Sequence, residues 1–121
     1  MKTEQIGIVT SIKNESGDTI LKGYFVNMQG VLGNSEENNN EMIGVCIADT
    51  NDGEMMPVAV TGIVLCVTGG IIYKGNPVSC DGKIYKVNFT DPPTTSELQR
   101  VVGKALDAAT AADQLVRVLL K

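Results

Sequence analysis

The stretch VGKALDAATAADQLVRV, residues 102–118, decides between two folds for this chain. Its apolar residues fall on one helical face, and Thr94 with Glu97 ahead of it form a capping box. Taken alone, the last quarter of the chain is therefore typical of a long amphipathic helix. Gly103 opposes that interpretation, because a glycine inside a helix costs about 1 kcal/mol relative to alanine.

An internal repeat favours the other fold. Three pairs of segments match in the same order along the chain, and the first pair shares the pattern K-G-x-x-V-x-x-x-G. The pairs are residues 22–30 with 74–82, 43–49 with 102–108, and 58–60 with 116–118. The first copy contains Gly53 and Pro57, which oppose a continuous helix. If the copies share structure, the last quarter is strand, loop, strand, with room for a short helical turn over residues 107–114.

The sequence therefore predicts a mainly β fold. We expect a compact β-barrel-like or β-tulip-like domain with an internally duplicated β unit and at most one short helix. Residues 1–16 are predicted to form an N-terminal arm or edge strand. Residues 17–121 are predicted to form a single β domain with repeat-like halves of about 22–60 and 74–118.

Local signals add detail to this fold. Asp81-Gly82 between extended residues is typical of a hairpin with a type I′ turn, in which both central residues have positive φ. Residues 57–67 read as one strand bent at Gly62, where a bulge is expected. Residues 34–41 read as an exposed polar loop.

Charge and composition exclude several classes of partner. The net charge is -4, and the Lys and Arg residues do not cluster, which argues against nucleic acid and against an anionic membrane surface. The apolar run at residues 63–67 is too short to span a bilayer. No signal peptide is evident. Three cysteines without a CxxC pair are expected to be buried free thiols in a reducing compartment.

The sequence lacks the side chains that most often act in catalysis. The chain contains no histidine, which removes the commonest general base and most zinc and iron sites. The carboxylate pairs Asp49/Asp52 and Asp107/Asp113 are interpreted as turn-forming, solvated groups. We therefore predict no catalytic residue, no metal ligand and no cofactor.

Several of these segments resemble the signatures of the capsid cement, or head decoration, proteins of tailed phages. The resemblance covers roughly residues 17–120 and departs from the family pattern at the N-terminus and in the loop over residues 34–41. At Asn76 this chain has Asn where the family pattern has Asp. The matching segments are VGKALDAA at 102–109 with VRV at 116–118, GV at 44–45 with VAVTG at 58–62, and KGNPV at 74–78.

The resemblance implies a structural virion protein. Such a protein binds the outside of a phage capsid as a homotrimer on local three-fold axes and stabilises the shell against internal DNA pressure. Its partner is the major capsid protein, with no nucleic acid, membrane or cofactor involved. It is made in the cytoplasm of the bacterial host and resides on the capsid surface.

The N-terminal segment is the candidate contact with that partner. A strand over residues 6–12 either adds to the edge of a partner's sheet, gaining backbone hydrogen bonds, or belongs to the protein's own sheet. On the first alternative, the candidate capsid contacts are Ile6, Ile8, Val9 and Thr10.

Two other functions remain open. One is a host-facing carbohydrate- or ligand-binding β module, similar to a head fibre. It would need exposed aromatic platforms, whereas most of the five aromatic side chains are expected in the core. The other is an enzyme with a carboxylate-only or metal-assisted site, which would need acids that converge in a pocket.

Overall fold

The computed structural model describes residues 2–35 and 42–121, so most of the predicted polar loop over residues 34–41 lies outside the described residues. Within these ranges the protein is 44% strand and 5% helix, which confirms the prediction of a mainly β fold. The elements are β1 (Gln5–Ile6), β2 (Val9–Lys13), β3 (Phe25–Asn27), β4 (Met42–Cys46), β5 (Met55–Ala59), β6 (Gly62–Val67), β7 (Pro77–Asp81), β8 (Lys83–Lys86), α1 (Thr95–Arg100), β9 (Gly103–Ala105) and β10 (Leu115–Leu120).

The strands form two antiparallel sheets. One has six strands in the order β1-β6-β10-β9-β7-β8, and the other has four in the order β2-β5-β4-β3. The main apolar core combines buried residues of both sheets, such as Val45 and Ala59 with Val116 and Val118. The sheets therefore pack against each other as one compact β domain, without closing into a barrel.

Residues 103–120 are strand, loop, strand, as the repeat predicts, and the only helix of the described residues precedes them. In β10, Val116 and Val118 are fully buried, whereas Leu115 and Leu119 are 44% and 45% exposed. This alternation has the period of a strand, and the helical pattern in the same residues is misleading. The loop over residues 107–114, where the sequence leaves room for a short helical turn, instead contains a β-bridge between Ala109 and Ile72.

The helix α1 begins at the predicted capping box. The Thr94 hydroxyl accepts a hydrogen bond from the Glu97 N–H at 3.1 Å, which confirms the N-cap. The Glu97 carboxylate reaches further back and accepts from both the N–H and the hydroxyl of Thr90, at 2.6 and 2.7 Å. Glu97 thereby joins the helix to the end of the β8 hairpin.

We expect Glu97→Gln to lower stability at neutral pH. The hydrogen bonds from Thr90, together with those from Thr94, lower the pKa of Glu97 below its usual range. A carboxyl group with a lowered folded-state pKa stabilises the fold above its unfolded pKa, and this stabilisation is lost as pH falls through the folded value. Thermal unfolding of both proteins from about pH 7 to about pH 3 measures it. A difference that stays constant over that range would contradict the prediction.

The two sheets repeat one strand arrangement. The order β2-β5-β4-β3 corresponds to β6-β10-β9-β7 in the larger sheet. The register agrees as well, since Val26 faces Gly44 between β3 and β4 as Val78 faces Gly103 between β7 and β9. We call β2–β5 the first unit and β6–β10 the second unit.

Backbone hydrogen bonds outside the strands also recur in the two units. The matched pairs are Gly23–Cys46 with Gly75–Ala105, Ile20–Thr50 with Ile72–Ala109, and Asn14–Glu54 with Thr68–Gln114. The correspondence begins at β2 and β6, before the halves that the sequence pattern delimits. At its end the structural match is offset by two residues, because Cys46 faces Val58 whereas Ala105 faces Val118 rather than Val116.

Two local predictions need correction. Residues 57–67 are not one bent strand, because β5 lies in the four-stranded sheet and β6 in the six-stranded sheet. The hairpin of β7 and β8 is present, but its turn is not type I′. Within residues 77–86 only Gly82 has a positive φ, and Asp81 faces Lys83. The N–H of Gly82 donates to the Gly33 carbonyl, so the turn is shaped by the first unit.

Candidate functional site

The predicted contact residues lie where the chain passes from one sheet to the other. Ile6 is half-buried in β1 opposite Gly62, and Thr10 is half-buried in β2. Ile8, in the link between them, is 61% exposed, and Val9 is 49% exposed. Both strands thus belong to the protein's own sheets, and the structure leaves two adjacent apolar side chains at the surface.

A second link, residues 60–61, runs beside this one and holds it in place. The N–H of Gly7 donates to the Thr61 carbonyl, and the N–H of Ile8 donates to the Thr61 hydroxyl, both at 2.9 Å. The N–H of Val60 donates to the Ile8 carbonyl at 2.8 Å. A Cβ at Gly7 would lie 2.3 Å from the Thr61 hydroxyl oxygen, so the glycine leaves room for this hydroxyl to accept from the Ile8 N–H. The two exposed side chains are therefore presented on a well-fixed backbone.

The arm ahead of this corner is tied to both units through Glu4. One Glu4 carboxylate oxygen lies 3.1 Å from the Lys22 ammonium group. The other accepts a hydrogen bond from the Leu65 N–H at 3.3 Å. This contact occupies the outer edge of β6, next to the strand β1.

A second exposed surface was not predicted from the sequence. It is the solvent side of β6 and β10, where apolar side chains face each other in cross-strand pairs. We call it the outer apolar face; Leu115 and Leu119 are its exposed residues, and Ile63, Leu65 and Val67 are its half-buried ones. The run IVLCV at residues 63–67 hides this surface in the sequence, because a continuous apolar run is typical of a strand buried on both sides. The signal available was the alternation of Leu115 and Leu119 with buried valines in β10.

One charged residue lies within the outer apolar face, and its charge is paired. The Arg117 guanidinium group binds the Asp107 carboxylate through two hydrogen bonds of 3.1 and 3.0 Å. These bonds lower the pKa of Asp107 and raise that of Arg117. Because Arg117 is paired with Asp107, it does not place an unpaired positive charge on the outer apolar face.

The carboxylates considered for catalysis accept hydrogen bonds in turns or form ion pairs. Asp49 accepts from the Lys22 N–H, Asp52 accepts from the Gly17 N–H, and Asp113 binds Lys83. Over residues 2–35 and 42–121, no group of three or more His, Cys, Asp or Glu side chains is placed to hold a metal ion.

The cysteines and the aromatic residues differ in how well they were predicted. All three cysteines are buried and free, as expected, and burial raises the pKa of the Cys66 thiol. The prediction that most aromatic side chains are in the core is wrong, because Tyr73, Tyr85 and Phe89 are exposed. No helix in the part of the chain that the structure describes is long and apolar enough to cross a membrane.

Comparison with known proteins now places the chain in a family, because the phage cement proteins match residues 4–120. The chain belongs to the phage cement protein family. The match begins at residue 4 and so extends N-terminally beyond the resemblance over residues 17–120. As a member of this family, the chain is a structural protein of the phage virion that associates with the capsid.

The fold of this cement protein is shared with a solved structure. It is similar to the head fibre gp8.5 N base in bacteriophage phi29, with a TM-score of 0.62 and 15% sequence identity. The likeness covers 94% of this chain and 95% of the other. No curated protein matches the chain significantly by sequence.

Proposed function

We propose that this cement protein binds the outside of its phage capsid as a homotrimer and stabilises the shell, without catalysing a reaction. The observation that carries the proposal is the family match over residues 4–120. The partner is the major capsid protein, and the chain is made in the host cytoplasm before it joins the virion. Two sheets that share one core supply the stiffness that a clamp between capsid subunits needs.

The outer apolar face supports the proposed trimer. Contiguous apolar surface on a soluble monomer is usually limited, and larger patches mark protein–protein contacts. Leu115 and Leu119 are the exposed members of this face, and Arg117 between them is neutralised by its own partner. We propose that neighbouring copies cover this face in the trimer.

The corner at Ile6, Ile8, Val9 and Thr10 is the proposed capsid contact. Ile8 and Val9 are its exposed members, so their burial on the shell would contribute the hydrophobic part of the binding energy. The arrangement leaves the outer apolar face available for contacts between copies.

We expect Ile8→Asp to weaken binding to expanded, undecorated shells of the parent phage by about tenfold or more, since it removes apolar burial and adds a charge to desolvate. Co-sedimentation of shells with the purified protein measures the binding. The matched control is Ile71→Asp, because Ile71 is 57% exposed and lies outside both proposed surfaces. Equal loss in both variants would contradict the assignment of the contact to this corner.

Light scattering on the purified protein tests the rest of the proposal. We expect the mass of a trimer at micromolar concentration and binding to expanded shells. A strict monomer that ignores capsids would remove the proposed function.

A second candidate is a host-facing ligand-binding module. It is favoured by the exposed aromatic residues, among which Tyr73 lies under the Lys86 ammonium group at 5.5 Å from its ring centre. Exposed aromatic rings of this kind can act as platforms for sugars. A glycan array with no specific hit would exclude this candidate.

A further inference from the structure

The strand β2 has an open outer edge. The N–H of Val60 donates to the Ile8 carbonyl, and the N–H of Asn14 donates to the Glu54 carbonyl. In an antiparallel ladder these bonds alternate along the strand, so every second residue directs its N–H and C=O to the opposite side. Val9 and Ser11 therefore direct both backbone groups away from β5.

The equivalent edge in the second unit is β6, and there it is occupied. The N–H of Thr68 donates to the Gln114 carbonyl, as Asn14 does to Glu54 in the first unit. Ile63, Leu65 and Val67 are then the residues whose backbone groups point outward from β6.

Each of these three outward positions has a partner from elsewhere in the chain. Ile63 faces Gln5 of β1 in the antiparallel ladder. The Leu65 N–H donates to the Glu4 carboxylate, and the Val67 N–H donates to the Gly23 carbonyl at 3.0 Å. In the second unit, the outer edge of β6 is thus paired at all three positions.

Val9 and Ser11 occupy the positions that Ile63 and Leu65 occupy in the second unit. No strand within residues 2–35 or 42–121 lies beside them. The open edge is short, because Gly30 packs against the Lys13 carbonyl and accepts from the Glu15 N–H, which closes the edge at Lys13. Four outward backbone groups, the N–H and C=O of Val9 and Ser11, are left for an added strand.

We propose that an extended segment of a capsid subunit adds antiparallel to β2, pairing with Val9 and Ser11 as β1 pairs with β6. This inference rests on the proposed function and deepens it. It assigns recognition to main-chain hydrogen bonds at a sheet edge, which is an established mode of peptide binding.

The side chains along the edge describe the segment that fits. Val9 and Lys13 project on one face of β2 and are both exposed. An added strand would place an apolar β-branched residue opposite Val9 and a carboxylate opposite Lys13, since opposite charges across strands are favourable. A second copy of β2 paired about Ser11 would instead place each Lys13 against a Val9. The edge therefore fits a different chain better than a copy of itself.

The test compares Ser11→Pro with Ser11→Ala in binding to expanded, undecorated shells of the parent phage. Proline removes the outward N–H of residue 11, and edge strands tolerate proline where the N–H faces solvent. We expect Ser11→Pro to bind shells at least about tenfold more weakly and Ser11→Ala to bind like the unaltered protein. Circular dichroism and the melting temperature establish that both variants fold.

Hydrogen exchange on the unaltered protein gives a second readout that does not depend on a variant. We expect the Val9 and Ser11 amides to be slowed on shell binding and the Thr10 amide, already bonded within the sheet, to change little. A folded Ser11→Pro variant that binds normally, or unchanged exchange at Val9 and Ser11 in bound protein, would overturn strand addition and leave capsid binding intact.

Two further outcomes also count against the inference. Unaltered protein that binds no shell would overturn the proposed function and the strand addition with it. A dimer that forms without shells and is abolished by Ser11→Pro would assign the edge to a second copy of the chain.

Discussion

Gly44→Ala is expected to lower the free energy of unfolding by about 3 kcal/mol, one of the two largest single-residue effects that we foresee. A Cβ at this position would lie 2.0 Å from the Ala59 carbonyl oxygen and 2.9 Å from its carbon. Both atoms are backbone of the neighbouring strand β5, and both residues are buried. A rotamer change cannot relieve the contact, so β4 and β5 must separate within the core.

Urea unfolding of Gly44→Ala and Gly70→Ala measures this effect. Gly70 is the matched control, because an added Cβ there meets nothing within 4 Å and its φ is not positive. We expect the control to change stability by less than about 0.5 kcal/mol. Similar stability of the two variants would show that the strands adjust, and it would contradict the prediction.

The equivalent glycine of the second unit supports the same explanation. A Cβ at Gly103 would lie 2.6 Å from the Leu119 carbonyl oxygen in the neighbouring strand. The glycine shared by the two repeats thus reflects one close approach between strands that occurs twice. This close approach explains the glycine that the segments 43–49 and 102–108 share.

The second large effect is expected for Asn14→Asp, at about 3 kcal/mol near neutral pH. Asn14 is fully buried, and its amide NH₂ donates to the carbonyl oxygens of Thr50 and Asp18, both at 2.9 Å. Its amide oxygen accepts from the N–H and hydroxyl of Ser16. A carboxylate keeps the second role but sets a negative oxygen against two carbonyl oxygens.

The destabilisation should depend on pH with a defined sign. Burial and the two carbonyls raise the pKa of the introduced carboxyl group above its unfolded value of about 4. The penalty is therefore present above the folded pKa and disappears as pH falls below the unfolded one. Urea midpoints at about pH 7 and about pH 3.5 measure it relative to the unaltered protein.

Asn51→Asp is the matched control for this charge change. Asn51 is exposed, and its amide oxygen accepts a hydrogen bond from the Thr19 hydroxyl, a role that a carboxylate retains. We expect little loss of stability at either pH. If both variants lost the same stability, the effect would be one of net charge rather than of the buried hydrogen bonds.

The sequence predicted the extended N-terminal segment that carries the candidate site, but it did not predict the outer apolar face. The alternation around Ile8 and Val9 placed an extended segment at the N-terminus, and the structure leaves both side chains exposed. The outer apolar face was missed, because residues 63–67 look the same whether one or both faces of their strand are covered. How far Leu65 is exposed depends on which other segments cover that side of the sheet, and no local sequence pattern records this.

Several features of this cement protein follow from its residues alone. The β class, the N-cap at Thr94 and the buried thiols reflect local preferences, since strand periodicity, glycine placement and side-chain polarity act within a few residues. The repeat is visible as a match between the two halves of the sequence. The repeat was decisive at residues 102–118, where local periodicity by itself points to a helix. The structure there follows the repeat, in which the same close approach between strands occurs in both copies, and not the helical periodicity.

Other features arise only when distant segments meet. The break between β5 and β6 and the division into two sheets depend on long-range strand pairing, and the edge of β6 is filled because β1 docks there while no described strand docks on the outer edge of β2. A strand edge is filled by whichever segment the folded chain brings to it, so nothing within residues 9–13 distinguishes an edge that is covered from one that is free to bind a partner.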